Sequence, residues 1–150
     1  MIVLDTTVLV YAKGAEHQLR DPCRRLIELI VDGSIAATTT VQAVQELVHV
    51  RARRRERDDA ARLGAGYADL LAPLLTGGEQ ELRSGLALYV RHARLGAFDA
   101  VLAATAIAVG ASHIVSADHA FALVSGVSHV FPDESGVQRL VSAGAPPTDR

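Results

Sequence analysis

Short apolar runs alternate with longer amphipathic stretches along this chain. A short apolar run between turn residues predicts a buried strand, and apolar residues at helical spacing predict a helix with one face in the core. The predicted strands are residues 1–4, 34–37, 74–76, 113–116 and 127–131. The predicted helices lie after Asp5, at 19–32, from the threonines at 38–40 to about 55, from 58 toward 73, at 79–94 and at 98–109, with a helical turn at 119–123.

Local signals mark where several of these helices begin and end. Asp32-Gly33 and Gly110 end the helices that precede them, because glycine readily takes backbone conformations that stop a helix. The threonine hydroxyls at 38–40 are suited to cap the helix that follows them. Strands that alternate with helices in this way predict an α/β domain with a central parallel sheet of short strands.

Two acidic residues follow predicted strands. Asp5 comes directly after the apolar run that opens the chain, and Asp118 follows the strand at 113–116. In parallel α/β sheets, ligands bind outside the carboxyl ends of the strands, where the strand order switches. We therefore expect Asp5 and Asp118 to lie on one rim of the sheet.

The composition is that of a single globular domain. A chain of 150 residues, of which 49% are hydrophobic and 21% charged, can bury a sizeable core but is short for two domains. We expect one domain over 1–143 and a flexible tail over 144–150, which is rich in proline. No run approaches ~18 apolar residues and no leader-like segment opens the chain, so we expect a cytoplasmic protein without a membrane span. The single cysteine, Cys23, excludes an internal disulfide and is interpreted as a packed thiol.

Positive charge is concentrated in one arginine-rich segment, although the net charge is −2. Its members are Arg51, Arg53, Arg54, Arg55 and Arg57. Guanidinium groups suit bidentate phosphate contacts, so the first four are candidates for binding the phosphate backbone of a nucleic acid. The alternative is a solvated helix end whose cations complement the helix dipole. Tyr and Phe are scarce, which argues against single-strand binding on an aromatic platform.

Four acidic residues stand at strand ends or at helix margins: Asp5, Glu46, Asp99 and Asp118. Taken singly, each has an ordinary structural explanation. Asp5 can cap the following helix, Asp99 can stabilise the first turn of its helix, and Asp118 can be a turn residue. Glu46 lies at the edge of the apolar arc of its helix and can be a surface glutamate.

As a set, these four acids can converge on one hard cation. Oxygen-only ligands suit Mg²⁺ or Mn²⁺, and the absence of His-x-x-x-His and Cys-x-x-Cys patterns counts against zinc. Such a site hydrolyses phosphodiesters, because the cation neutralises phosphate oxygens and lowers the pKa of a bound water. One or two ions would serve, and either Asp99 or Asp118 could orient the attacking water.

Four blocks carry a family resemblance, in this chain order: Ile2–Leu9 with Asp5, Glu46-Leu47, Phe98–Ala106 with Asp99, and His113–Phe121 with Ser116 and Asp118. In this order and at these separations, they resemble the PIN-domain nucleases, and most closely the VapC-like toxins of bacterial type II toxin–antitoxin pairs. The resemblance covers essentially the whole chain. The first block alone is unspecific, whereas the four together are a specific signal.

The resemblance implies a PIN-like three-layer fold and an endoribonuclease that uses Mg²⁺ or Mn²⁺ to cut a structured RNA, with transfer or ribosomal RNA as the expected substrate. It assigns metal binding and catalysis to the four acids, and it implies that the hydroxyls of Thr7 and Ser116 steady the acidic cluster. It also implies a homodimer that a small cognate antitoxin protein neutralises. Thr7 replaces the more usual Ser or Asn, and Ala117 leaves no extra acid beside Asp118.

Other classes of protein fit the sequence less well. A haloacid-dehalogenase-type phosphatase would have a second Asp where Thr7 stands, and a receiver domain would need a late lysine, whereas Lys13 is the only lysine. No glycine-rich nucleotide-binding motif is present. The remaining alternative is a catalytically silent PIN-like domain that binds RNA or protein, although none of the four acids is missing. Among the histidines, His119 is singled out because it adjoins Asp118.

Overall fold

Short parallel strands and helices alternate in the computed structural model, which describes residues 1–144. The strands are β1 (Ile2–Leu4), β2 (Ala37–Thr38), β3 (His113–Val115) and β4 (Ser128–Val130). The helices are α1 (Thr6–Lys13), α2 (Arg20–Val31), α3 (Val41–Ala52), α4 (Arg57–Leu70), α5 (Glu79–Arg91), α6 (Ala97–Ala108) and α7 (Glu134–Gly144), and a 3₁₀ helix covers His119–Leu123. The predicted flexible tail over 144–150 lies, apart from its first residue, outside the described residues.

The strands form one parallel sheet in the order β2-β1-β3-β4. In this sheet Ile2 of β1 pairs with Ala37 on one side and with His113 on the other. The chain leaves β1 toward β2 and later returns on the opposite side to form β3, so the strand order switches between β1 and β3. Loops diverge at such a point and leave a crevice above the carboxyl ends of the two strands.

Two hydrophobic cores enclose the sheet, one on each face. Leu4 packs in the core that α1, α2 and α7 cover, whereas Val3 packs in the core beneath α6 and the 3₁₀ helix. This alternation follows from the period of two along a strand. The predicted three-layer α/β fold is therefore confirmed. Cys23 is buried in the first core, and burial raises its pKa to about 12, so it is a packed thiol rather than a nucleophile.

The predicted helix stops and caps are confirmed. Gly33 and Gly110 follow α2 and α6 with φ angles of +79° and +66°, a left-handed conformation that glycine tolerates well. The hydroxyl of Thr40 accepts a hydrogen bond from the Ala43 backbone N–H at 3.1 Å and caps α3. The neighbouring Thr39 donates to the carbonyl of Leu4 at 2.6 Å, which fixes the start of α3 against the end of β1.

Two predicted strands need correction, and one helix was missed. The strand placed at 34–37 is Ala37–Thr38, because the Ile35 backbone N–H bonds back to Leu29 and closes the turn after α2. The strand placed at 74–76 is a single parallel bridge between Leu75 and Thr40. Helix α7 was not predicted, although its start is marked by a cap from Asp133 to the Gly136 backbone N–H.

Helices α5 and α6 pack in backbone contact. A Cβ atom at Gly85 of α5 would lie 2.7 Å from the Cα of Val101 on α6, which is closer than side-chain atoms can approach. The position of α6, which carries Asp99, therefore depends on glycine at this point of α5.

No helix within residues 1–144 is both long and apolar enough to cross a bilayer.

Candidate active site

Asp5 lies at the end of β1 and is 5% exposed. One of its carboxylate oxygens accepts a hydrogen bond from the Thr6 backbone N–H at 2.7 Å, which caps α1. The other oxygen accepts hydrogen bonds from the hydroxyls of Thr7 and Ser116, each at 2.7 Å. These contacts hold the carboxylate in one orientation at the switch point, so capping and site formation are compatible roles for Asp5.

The hydroxyls of Thr7 and Ser116 connect the ends of β1 and β3. While donating to Asp5, the Ser116 hydroxyl accepts from the Asp118 backbone N–H at 2.9 Å. The Thr7 hydroxyl similarly accepts from the Ala117 backbone N–H at 3.0 Å. Each position thus uses a hydroxyl both as donor and as acceptor, and threonine at position 7 supplies this chemistry as serine would.

Asp118 follows β3 and caps the 3₁₀ helix. Its carboxylate accepts a hydrogen bond from the Ala120 backbone N–H at 2.8 Å, and the residue is half-buried. The cap fixes the turn that carries Asp118 next to Ser116. Asp118 therefore has the predicted local role of a turn residue. It also lies at the carboxyl edge of the sheet beside Asp5, so it can contribute to the site as well.

Glu46 reaches the site from α3 through Thr6. The hydroxyl of Thr6 donates to a carboxylate oxygen of Glu46 at 2.8 Å, while the Thr6 backbone binds Asp5. Glu46 is exposed but tethered, whereas Thr6 is buried. Thr6 was not recognised from the sequence as part of the site. Its signal is a hydroxyl directly after the acid, in the first turn of α1.

Asp99 lies in the first turn of α6 and is half-buried. Burial is the largest cause that raises its pKa to about 6, followed by the neighbouring carboxylates of Asp5, Asp118 and Glu46. The Gly96 backbone N–H opposes the shift. The structure therefore places all four predicted acids in one electrostatic environment, because the charge of each of the other three raises the pKa of Asp99.

Three of the four acids line one small cavity of about 50 Å³: Asp5, Glu46 and Asp99. Asp118 is not on its wall, although its charge reaches Asp99. Within residues 1–144, no salt bridge joins any of the four carboxylates to an arginine or lysine. No cationic side chain of the described part of the chain thus pairs with these carboxylates, and a bound cation would supply the missing positive charge.

The donor set fits a hard divalent cation, because it consists of carboxylate oxygens. In the described part of the chain, no group of three or more His, Cys, Asp or Glu side chains is arranged to hold a metal ion directly. Mg²⁺ keeps several waters and binds through one or two carboxylates together with substrate phosphates. A cation here would therefore bind partly through water, which does not require three carboxylates in direct contact with it.

The arginine-rich segment divides into two groups. Arg51 forms a 2.7 Å ion pair with Asp59 and donates to the Lys13 carbonyl, so it fastens α3 to α4 and α1. These contacts involve two of the three guanidinium nitrogens of Arg51, so a structural role accounts for this residue, and its part in RNA binding stays a prediction. Arg53, Arg54 and Arg55 are exposed at the C-terminal end of α3. Arg53 lies roughly 10 Å along the helix axis from Glu46, at 1.5 Å per residue.

The fold and the acidic site agree with comparisons to known proteins. The PIN domain matches residues 2–127, so the chain belongs to the PIN-domain family. It is 54% identical over 145 residues to Ribonuclease VapC7 of Mycobacterium tuberculosis (strain ATCC 25618 / H37Rv), covering 94% of this chain and 98% of that protein. It is 30% identical over 125 residues to Ribonuclease VapC23 of Mycobacterium tuberculosis (strain CDC 1551 / Oshkosh), covering 81% and 96%. The predicted resemblance to VapC-like PIN-domain proteins is confirmed.

Proposed function

We propose that this protein is an endoribonuclease that hydrolyses phosphodiester bonds of a structured RNA with Mg²⁺ or Mn²⁺ as cofactor. The observation that carries the proposal is the grouping of four carboxylates near the switch point between β1 and β3, where the charges of the other three raise the pKa of Asp99. Two relatives that carry the name ribonuclease support RNA as the substrate. Transfer or ribosomal RNA is the proposed target.

The chain's own residues divide the work by position. Asp5, Glu46 and Asp99 line the cavity and would hold the cation, and hydrogen bonds from the hydroxyls of Thr7 and Ser116 keep Asp5 oriented. When bound, the cation neutralises phosphate oxygens and lowers the pKa of a water molecule. Asp118 stands outside the cavity wall, but its charge reaches Asp99, and from there it would help to hold the cation or orient the attacking water.

The test is cleavage of total bacterial RNA by the purified protein. Mg²⁺ or Mn²⁺ should support cleavage and EDTA should abolish it. The Asp5→Asn variant should lose more than ~100-fold in rate, since even outer partners of a metal site cost roughly 10- to 100-fold. The matched control is Asp69→Asn, an exposed aspartate on α4, which should cleave like the unaltered protein. Equal cleavage by both variants would refute the site. RNA binding without cleavage would favour the silent PIN-like regulator.

Sequencing the RNA ends that accumulate when the protein is expressed in cells would identify the substrate. The proposal expects new 5′ ends concentrated at a few positions in transfer or ribosomal RNA. These ends should be missing from cells that express Asp5→Asn. Ends scattered over messenger RNA in both cases would contradict the proposed substrate class.

We further infer that the protein is the toxin of a type II toxin–antitoxin pair, a role supported by its VapC-like relatives. A small antitoxin-like reading frame beside the gene is expected, and co-expression of its product should relieve growth arrest. If neither is found, the toxin role fails while the nuclease role stands.

A homodimer is part of the same proposal. Four exposed apolar side chains lie close together on α5 and support it: Leu82, Leu86, Tyr89 and Val90. Exposed apolar patches of this kind mark protein contacts. Light scattering should give twice the chain mass, and Leu86→Asp should give the single-chain mass. A monomer in both cases would refute the dimer.

A further inference from the structure

A stack of rings lies beside the acidic site and has no part in the mechanism described above. His119 follows Asp118 directly and begins the 3₁₀ helix. Its imidazole stacks on the ring of Phe131, with centroids 4.4 Å apart and planes inclined by 6°. His119 is exposed and Phe131 is half-buried, so the stack stands at the surface. The ring of His129 meets His119 edge-on at 6.1 Å.

The register of the sheet places this stack on the same edge as the acids. Val130 pairs with Val115 across β4 and β3, and Phe131 is the next residue after Val130. The Ser116 backbone N–H bonds to the Val130 carbonyl at 3.2 Å, which sets Phe131 beside Ser116. Neighbouring strands lie about 4.8 Å apart, so two strand spacings, or roughly 10 Å, separate the backbone of Phe131 from that of Asp5.

Two further contacts hold the stack in place. A ring nitrogen of His129 lies 2.9 Å from the Ser116 carbonyl oxygen, which ties β4 to the end of β3. The cap from Asp118 to the Ala120 backbone N–H fixes the turn that carries His119. The imidazole is therefore held by Phe131 on one side and by its own backbone, so it loses little conformational freedom when a ligand binds.

We propose that the outer face of His119 stacks on a nucleobase of the RNA, next to the scissile phosphate; this role rests on the proposed ribonuclease function. RNA recognition commonly splays out unpaired bases and stacks them on Phe, Tyr, Trp or His side chains. A parallel His–Phe pair covers one face of the imidazole and presents the other to solvent. The scarcity of Phe and Tyr argued against an aromatic platform, but that count leaves out an imidazole supported by a phenyl ring.

Two explanations that involve no base stacking predict different results for substitutions at His119. If His119 only covers Phe131, its loss should lower the stability of the fold and leave RNA binding unchanged. If it acts through a ring nitrogen, His119→Phe should be as defective as His119→Ala. If it stacks on a base, His119→Phe should retain function and His119→Ala should not.

The experiment combines cleavage, binding and fluorescence on the full-length protein. Cleavage of total transfer RNA with Mg²⁺ is measured as kcat/KM, and binding of a mixed-sequence single-stranded RNA carrying 2-aminopurine is measured in EDTA. We expect His119→Ala to lose about 5- to 150-fold in kcat/KM and in affinity, which corresponds to the loss of one stacked base. The unaltered protein and His119→Phe should quench the 2-aminopurine, and His119→Ala should not.

The matched control is His17, whose ring stacks on Tyr11 with centroids 4.3 Å apart. His17 follows the C-terminal end of α1, whereas Asp5 precedes its N-terminal end. His17→Ala should bind and cleave like the unaltered protein. Equal activity and quenching for His119→Ala, with RNA still cleaved, would overturn the platform and leave the ribonuclease proposal intact. If the unaltered protein neither binds nor cleaves RNA, both proposals fail.

Discussion

Asp99 carries an electrostatic cost that no arginine or lysine of residues 1–144 relieves through a salt bridge. Its pKa rises from 3.8 to about 6, first because of burial and then because of the charges of Asp5, Asp118 and Glu46. Between these two pH values the unfolded chain releases the proton and the folded chain retains it. The stability of the fold therefore falls as pH rises from 3.8 through about 6 and stays lower above that. Strain of this kind is common where function requires like charges together.

Removing this charge should stabilise the protein. In EDTA at pH 7.5, Asp99→Asn should raise the free energy of unfolding by about 1–2 kcal/mol, a value reduced for the solvent exposure of the group. The gain should shrink as pH falls below about 6, where Asp99 becomes protonated in the folded protein. RNA cleavage should be lost. Urea denaturation at several pH values measures the effect, with Asp69→Asn as control. A variant that is less stable at pH 7.5 would refute the account of Asp99.

At the scale of elements, the site depends on how closely α5 and α6 approach each other. The Cβ of an alanine at position 85 would lie 2.7 Å from the Val101 Cα and 2.9 Å from its backbone nitrogen. Backbone atoms cannot move aside as the end of a flexible side chain can. The two helices must therefore separate to accept the methyl group, and α6 carries Asp99 in its first turn.

Gly85→Ala should therefore weaken both stability and activity. We expect a loss of about 1–3 kcal/mol in unfolding free energy, as for other overpacked contacts, together with reduced cleavage because Asp99 shifts with α6. The control is Gly66→Ala on α4, where the added Cβ would meet no atom within 4 Å. That variant should gain roughly 0.5–1 kcal/mol, because alanine is the better helix former. An undiminished stability of Gly85→Ala would contradict the close helix contact.

At the scale of the whole molecule, charge is unevenly distributed. The net charge is only −2 and the carboxyl edge of the sheet is acidic, so an RNA needs positive charge elsewhere on its path. Arg53, Arg54 and Arg55 are exposed at the end of the helix that also carries Glu46. We expect these three guanidinium groups to contact the backbone of an RNA that enters the site.

Replacing these three arginines by glutamine should weaken RNA binding and reduce its salt dependence. Each lost phosphate contact lowers the slope of log affinity against log salt by about 0.7 on single-stranded RNA. Binding in EDTA over a range of salt concentrations measures the slope, and Arg139→Gln on α7 is the control. An unchanged slope in the triple variant would show that the segment is a solvated helix end.

Much of this architecture follows from local sequence signals. The strands around the site, the stop at Gly110 and the placement of Asp5 and Asp118 after strands depend on short-range patterns, which the sequence displays directly. The contact of Thr6 with Glu46 depends on how α1 packs on α3, and that packing involves residues 40 positions apart. The stack of His119 on Phe131 likewise depends on strand register.

The elements that were misplaced or missed also depend on packing between parts of the chain that are distant in sequence. The strand expected at 34–37 is shifted because the turn after α2 takes up its first residues. Helix α7 has a capping aspartate at its start, and it is held by burial of Val137 and Leu140 in the core. Such tertiary packing overrides local propensity, which is a weak guide in short segments.

The most direct test of the acidic site is to titrate the RNA-free protein with Mn²⁺ and to measure the binding by isothermal titration calorimetry. The unaltered chain and Asp69→Asn should bind the ion with equal affinity. Asp5→Asn and Asp99→Asn should bind at least ~10-fold more weakly, the lower end of the loss seen when partners of a metal site are removed. Equal Mn²⁺ affinity in all four proteins, or no binding by the unaltered chain, would contradict the assignment of these carboxylates to a metal site.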